Sequence, residues 1–185
     1  MIARALRARC SLLQDQEQGG TPDEAATAGQ TLKPLLEVLV VDNEEDSEYE
    51  WLHVSTLLRL PVCDMLQELE LDFLYDNENT TMIREGRDLV ASYIARPGAG
   101  MCLRKLFVSL DDDNELHLGP LAQALKTGGA PNLEELRLVN MGEVAVGQIG
   151  EIYRAGGLSK LGTLQFSFSL LREASMRALF DGIRA

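Results

Sequence analysis

Apolar and polar positions along this 185-residue chain fall into one short pattern, Leu-x-x-Leu-x-(Leu/Val/Phe), that occurs five times. The copies are Leu36-x-x-Leu39-x-Val41, Leu66-x-x-Leu69-x-Leu71, Leu103-x-x-Leu106-x-Val108, Leu133-x-x-Leu136-x-Leu138 and Leu161-x-x-Leu164-x-Phe166. The first leucines are 30, 37, 30 and 28 residues apart, a quasi-period of stacked-repeat architectures rather than of a globule with one central core. In each copy the last two apolar residues are two apart, so they share one side of an extended strand, and polar residues take the other. Five half-buried strands are predicted.

Between the strands the spacing changes to that of a helix. Leu118, Leu121, Ala122 and Leu125 recur at helical intervals, as do Val144, Gly147, Ile149, Ile152 and Tyr153, and these runs end in Gly128-Gly129 and Gly156-Gly157. Glycine just past a helix is the favoured stop, because the terminating residue often needs a left-handed backbone that costs glycine little. One strand and one helix cannot bury their own leucines, so each unit must stack on its neighbours. The expected fold is therefore α/β, with a short curved parallel sheet on the concave side, helices on the convex side, and about five strand-helix units.

The segment Leu121-Ala-Gln-Ala-Leu125-Lys-Thr-Gly-Gly-Ala-Pro131-Asn-Leu133-Glu-Glu-Leu136-Arg-Leu138 resembles the helix-to-strand half of a ribonuclease-inhibitor-like leucine-rich repeat, and Arg154-Ala-Gly-Gly-Leu158-Ser-Lys-Leu161 repeats it. The resemblance spans residues 32–185 and is closest over 117–169, whereas the first two units match only in the strand. The family pattern places Asn or Cys eight residues after the first leucine to satisfy the turn; here those positions hold Glu44, Leu74, Asp111, Met141 and Ser169, so the turns must be built differently. The 37-residue step implies an enlarged unit holding Tyr75–Thr81.

With 45% hydrophobic and 25% charged residues the chain suits one domain. No apolar run approaches the roughly 20 residues a membrane-spanning helix needs. Cys10, Cys63 and Cys102 are an odd count without regular spacing, which argues against a disulfide framework and fits a reducing, cytoplasmic compartment. Small packed thiols are the simplest reading of all three. The low count also separates the chain from the cysteine-rich mammalian ribonuclease inhibitors.

The two ends read differently from the middle. Residues 1–14 carry Arg4, Arg7 and Arg9, no acid, and Ile2, Leu6, Cys10 and Leu13 near one helical face. An Arg-rich, acid-free amphipathic start is what an organelle transit peptide looks like. The same residues also read as an N-terminal helix that caps the first strand or belongs to a half-repeat, the order found in every later unit. Residues 15–31, rich in Gly, Thr, Pro and Ala, read as a mobile loop, and 32–185 as the repeat domain. Glu173–Arg184 predicts a helix with Met176, Leu179, Phe180 and Ile183 apolar and no closing polar cap, as in a fragment of a longer array, an end covered by a partner, or an end used for self-association.

The formal net charge of -12 is concentrated after the strands, at Asp42–Glu50, Asp72–Glu78, Asp111–Glu115 and Glu143. Parallel stacking would line these turns along one edge as an acidic ridge that favours basic partners and repels nucleic-acid phosphates. Such charge equally serves as a solvated face. Asp111, Asp113 and Glu115 begin like an EF-hand loop, but Leu116 stands where the sharp turn needs glycine and Ala122 where the last acid belongs, so only a looser calcium site without fixed spacing is left. No other metal or cofactor is indicated.

The catalytic inventory is thin. His53 and His117 are the only histidines, and no Gly-x-Ser-x-Gly elbow, phosphate-binding glycine loop or zinc-spaced Cys/His set accompanies them. A nucleophile needs a base within hydrogen-bond reach, and none is indicated, so a non-catalytic protein is expected.

Stacking instead aligns outward strand positions into three columns: Val38, Glu68, Lys105, Glu135, Thr163; then Val40, Glu70, Phe107, Arg137, Gln165; then Asp42, Asp72, Ser109, Val139, Ser167. Exposed aromatic and arginine side chains are frequent interface anchors, which singles out Phe107 beside Arg137, flanked by Glu68, Glu70, Asp72, Lys105 and Glu135; the same pair equally reads as a plain sheet surface with the arginine stacked on the ring. The expected function is protein–protein interaction through this face and the acidic turns, with a partner that has a basic rim. What the resemblance adds is an enzyme regulator, either an inhibitor of a basic enzyme or an activator of a small GTPase.

Overall fold

The structure, a computed structural model, describes residues 6–13, 33–43, 54–73, 80–109, 118–141, 143–168 and 172–185. Six strands form one sheet in sequence order: β1 (Leu6–Leu13), β2 (Lys33–Asn43), β3 (Glu68–Phe73), β4 (Lys105–Ser109), β5 (Glu135–Met141) and β6 (Thr163–Phe168). β2 to β6 are parallel, each strand paired with the next in sequence. Helical segments separate them: α1 (residues 54–58), α2 (Thr80–Ala95), α3 (Gly119–Lys126) and α4 (Glu143–Arg154), with α5 (Glu173–Ile183) after the last strand. Helix packs on helix in the same order, α2 on α3, α3 on α4 and α4 on α5. The result is a linear stack of five strand-helix units in which each contacts its neighbours.

The recurrent leucines make this stack because each unit supplies the same buried layer. Leu66, Leu103 and Leu133 are at most 1% exposed, as are the strand residues Leu69, Leu71, Leu106, Val108, Leu136 and Leu138. Helix residues Leu121, Leu125, Ile149 and Ile152 close the layer from the other side. Burying one leucine side chain contributes roughly 1.5–3 kcal/mol, and a unit alone would leave most of its leucines wet.

The backbone repeats the equivalence. The carbonyl after each first leucine, at Glu37, Gln67, Arg104 and Glu134, accepts from amides of the following unit at 2.8–3.0 Å, as in Gln67 N–H to Glu37 and Gly162 N–H to Glu134. The helix-to-strand turns are also equivalent: Gly128 and Gly156, each five residues before a first leucine, have φ of 78° and 80°, as the glycine stops predicted. A buried staple fixes the enlarged unit. The Tyr93 hydroxyl lies 2.8 Å from the Cys63 carbonyl and 2.9 Å from that of Ala99, and Arg96 donates to the Leu58 carbonyl and to Asp64. Burial pushes the Tyr93 phenol well above its ordinary range, so it stays a donor.

Two expectations need correction. The N-terminal helix predicted within residues 1–14 is not formed by its described part: Leu6–Leu13 is a strand, antiparallel to β2, with Leu6 opposite Val41 and Leu13 opposite Lys33. The apolar residues 6, 8, 10 and 12 also alternate with period two, and the unpaired edge of β2 selects that period because it satisfies a row of backbone groups. The third column is the second correction. Leu138 pairs with Phe166 and Met141 with Phe168, so three residues of β5 span two of β6, and the row does not continue from Val139 to Ser167. The loop expected at 15–31 lies outside the described residues.

Candidate functional site

Among the described residues helices cover one face of the sheet only, and the alternate strand positions form the face opposite them. The register assembles two predicted rows there. Val38, Glu68, Lys105, Glu135 and Thr163 are successive Cα partners, as are Val40, Glu70, Phe107, Arg137 and Gln165. The third row is present only as the pairs Asp42–Asp72 and Ser109–Val139.

Six of the seven candidate residues, Glu68, Glu70, Lys105, Phe107, Glu135 and Arg137, line one shallow depression on this face, with Leu69 and Leu106 contributing to its lining. Asp72 lies farther along β3 and is not among the lining residues. Each wall residue is positioned by an inward neighbour: Leu69, Leu106, Val108, Leu136 and Leu138 are locked in the core, so the residues between them must project outward.

Phe107 is only 9% exposed, which departs from the open anchor and agrees with the stacked alternative. Arg137 is its partner in the adjacent strand and lies over it, with the guanidinium carbon 4.7 Å from the ring centre. Neighbouring strands run about 4.8 Å apart, a spacing that lets a planar cation settle on the aromatic face. The pair is one composite feature in which Phe107 is the base and exposed Arg137 is the surface presented to solvent. Among the described residues no carboxylate forms an ion pair with Arg137.

The glutamates are arranged differently. Lys105 Nζ lies 3.8 Å from Glu68 Oε2, and in the same row Glu135 follows Lys105. At the rim, Arg104 Nε is 3.9 Å from Glu134 Oε1. Both pairs are solvent-exposed, so each contributes about 0–1 kcal/mol and orients side chains more than it stabilises the fold. The Arg104–Glu134 pair was not among the candidates; both residues directly follow a first leucine, which is the signal that locates them. Taken together the four candidate carboxylates outnumber the two candidate cations, and the face is acidic around one stacked guanidinium.

Little of the acidic ridge can be placed, because residues 44–50, 74–79 and 111–115 lie outside the described set, as do His53 and His117. Glu143 is described, and it accepts from Ser175 Oγ at 2.9 Å and pairs with Arg172 at 3.3 Å. This acid ties α4 to α5 instead of standing free on a ridge. Cys63 is buried, with its thiol donating to the Leu57 carbonyl at 3.2 Å, while Cys102 Sγ lies 3.7 Å from Met65 Sδ. Among the described residues no group of three or more His, Cys, Asp or Glu could hold a metal ion, and no helix is long and apolar enough to cross a membrane. Comparison with protein-family models, curated proteins and solved structures found no match.

Proposed function

We propose that this chain is a leucine-rich-repeat solenoid of ribonuclease-inhibitor-like type, with its open sheet face concave, and that it serves as a non-catalytic module binding a partner protein through that face. The observation that carries the reading is Arg137, exposed and stacked on Phe107 without a carboxylate of its own, amid Glu68, Glu70 and Glu135. Such a surface suits a protein partner that brings an acidic side chain to Arg137 and basic side chains to the surrounding glutamates. Holding Arg137 against the ring lowers the side-chain entropy lost on binding, which is one reason stacked arginines act as anchors. The surrounding charges select partners and steer their approach more than they add affinity.

The test is affinity capture from a matched cell extract, comparing the native chain with a Glu70→Lys, Glu135→Lys, Arg137→Glu variant whose fold is verified by circular dichroism. Phe107 is kept because its ring is the base on which the side chain at position 137 rests. Loss of a specific partner from the folded variant supports the reading. Unchanged capture of that partner removes the open face from the account.

The excess of carboxylates on the face favours one more specific version, inhibition of an enzyme whose active site is basic. Its affinity would fall steeply as salt rises, and the captured enzyme would lose activity on titration with the native chain.

A further inference from the structure

The residue immediately before each first leucine forms a column of its own where the chain passes from helix to strand: Met65, Cys102, Asn132 and Lys160 in successive copies of the pattern. Stacking brings these side chains together, as it does the rows on the sheet. Lys160 Nζ donates to Asn132 Oδ1 at 2.6 Å, and Asn132 Nδ2 donates in turn to the Met101 carbonyl at 2.6 Å. In the two preceding copies the same register joins two sulfurs, Cys102 Sγ lying 3.7 Å from Met65 Sδ.

This sulfur pair is open to solvent. Met65 is 41% exposed, Cys102 is half-buried, and Met101, the residue before it, is 50% exposed, although methionine is among the residues most often buried. The two turns that carry the sulfurs are held from behind, since the Tyr93 hydroxyl donates to the carbonyls of both Cys63 and Ala99. Asp64 is the one acid within residues 61–65 and 96–102, and Arg96 already donates to it. Among the described residues no set of His, Cys, Asp and Glu completes a site for a harder metal, so the donors on offer here are a thiol and a thioether. Such donors select soft cations, Cu(I) above all. The spacing suits one ion: two metal–sulfur bonds of about 2.3 Å whose sulfurs stand 3.7 Å apart meet at about 107°, close to the tetrahedral angle.

We propose that Cys102 and Met65 together bind one Cu(I) ion, as thiolate and thioether, on the helix-to-strand edge of the stack. The thiol gives its proton to solvent as the sulfur–copper bond forms, and the ion keeps its oxidation state. Binding therefore tightens as pH rises. The site stands apart from the open face on β3 to β5 and does not depend on what that face recognises.

Anaerobic titration of the reduced full chain with Cu(I), in competition with the chromophoric chelator bicinchoninate, tests this, with circular dichroism as the check of folding. The native chain withdraws one equivalent of Cu(I) from the coloured complex. Cys102→Ser withdraws none. Met65→Leu, which conserves side-chain volume and removes only the thioether, weakens binding about tenfold. Met176→Leu, which removes a thioether from α5, binds as the native chain does. A native chain that leaves the bicinchoninate complex intact overturns the inference. So does uptake that persists in Cys102→Ser, which assigns the ion to Cys10 or Cys63. Binding by Met65→Leu as tight as that of the native chain overturns it as well, because it leaves an adventitious thiol adduct only.

Discussion

Because the Arg137 guanidinium lies 4.7 Å over the Phe107 ring, its removal separates two contributions that sit in one side chain. Arg137→Ala is expected to lower stability by only about 0.5–1 kcal/mol, the value of an exposed cation–π contact, while weakening partner binding at least tenfold. Chemical denaturation and a binding titration on the same protein check both. Tyr93→Phe does the reverse. It deprives the buried Cys63 and Ala99 carbonyls of their shared donor, costing about 1–2 kcal/mol in denaturation, and leaves partner affinity unchanged.

The residue scale also holds a pH response on the acid side. Lys126 donates to Glu151 at 2.5 Å, and this hydrogen bond, followed by the charge attraction, holds the Glu151 carboxyl below its ordinary value. A depressed carboxylate stabilises the fold above its unfolded value and loses that contribution as pH falls through the folded one. Glu151 is well exposed, so the contribution is about 0.5 kcal/mol at most. Carbon-detected NMR titration should find the Glu151 midpoint below that of an ordinary glutamate, and Lys126→Met should bring it back up.

At the scale of elements, the contact between α4 and α5 is backbone against backbone. A Cβ on Gly150 would stand 2.4 Å from the Ala178 carbonyl oxygen, so Gly150→Ala must push the helices apart, at a cost of about 1–3 kcal/mol in thermal or chemical unfolding. Elements were the level at which the sequence was most legible. The strand period and the glycine stops located β2 to β6 and the helices α3 and α4, and the strand spacing placed two open-face rows in the register observed. What escaped the pattern has physical causes. Residues 6–13 satisfy helical and strand periods alike, and pairing with the edge of β2 decides between them, a tertiary interaction that no local pattern contains. The extra residue of β5 after Leu138 displaces the third row, since alternation does not reveal a bulge. Phe107 was placed correctly beside Arg137, but whether it stood open or lay beneath the guanidinium depends on side-chain conformation, which strand spacing does not contain. The α4–α5 approach was written in Gly150, Ala178 and Gly182, a signal that glycine stops and leucine spacing overshadowed.

For the molecule as a whole, five units that each contact their neighbours leave one sheet face without a helix among the described residues, and strand positions repeat in register along it. The antiparallel β1 occupies one edge of the sheet, and β6 is the other. With a formal net charge of -12 and carboxylates in excess around Arg137, the account assigns the open face to partner recognition and the helical face to stabilising the stack. The most direct measurement places a photo-crosslinking amino acid at Glu135 on the open face and, in a second protein, at the exposed Gln123 on α3, and irradiates each with the captured partner. The account predicts that the partner is crosslinked from position 135 and not from position 123. Crosslinking from position 123 alone would contradict it and move recognition to the helices.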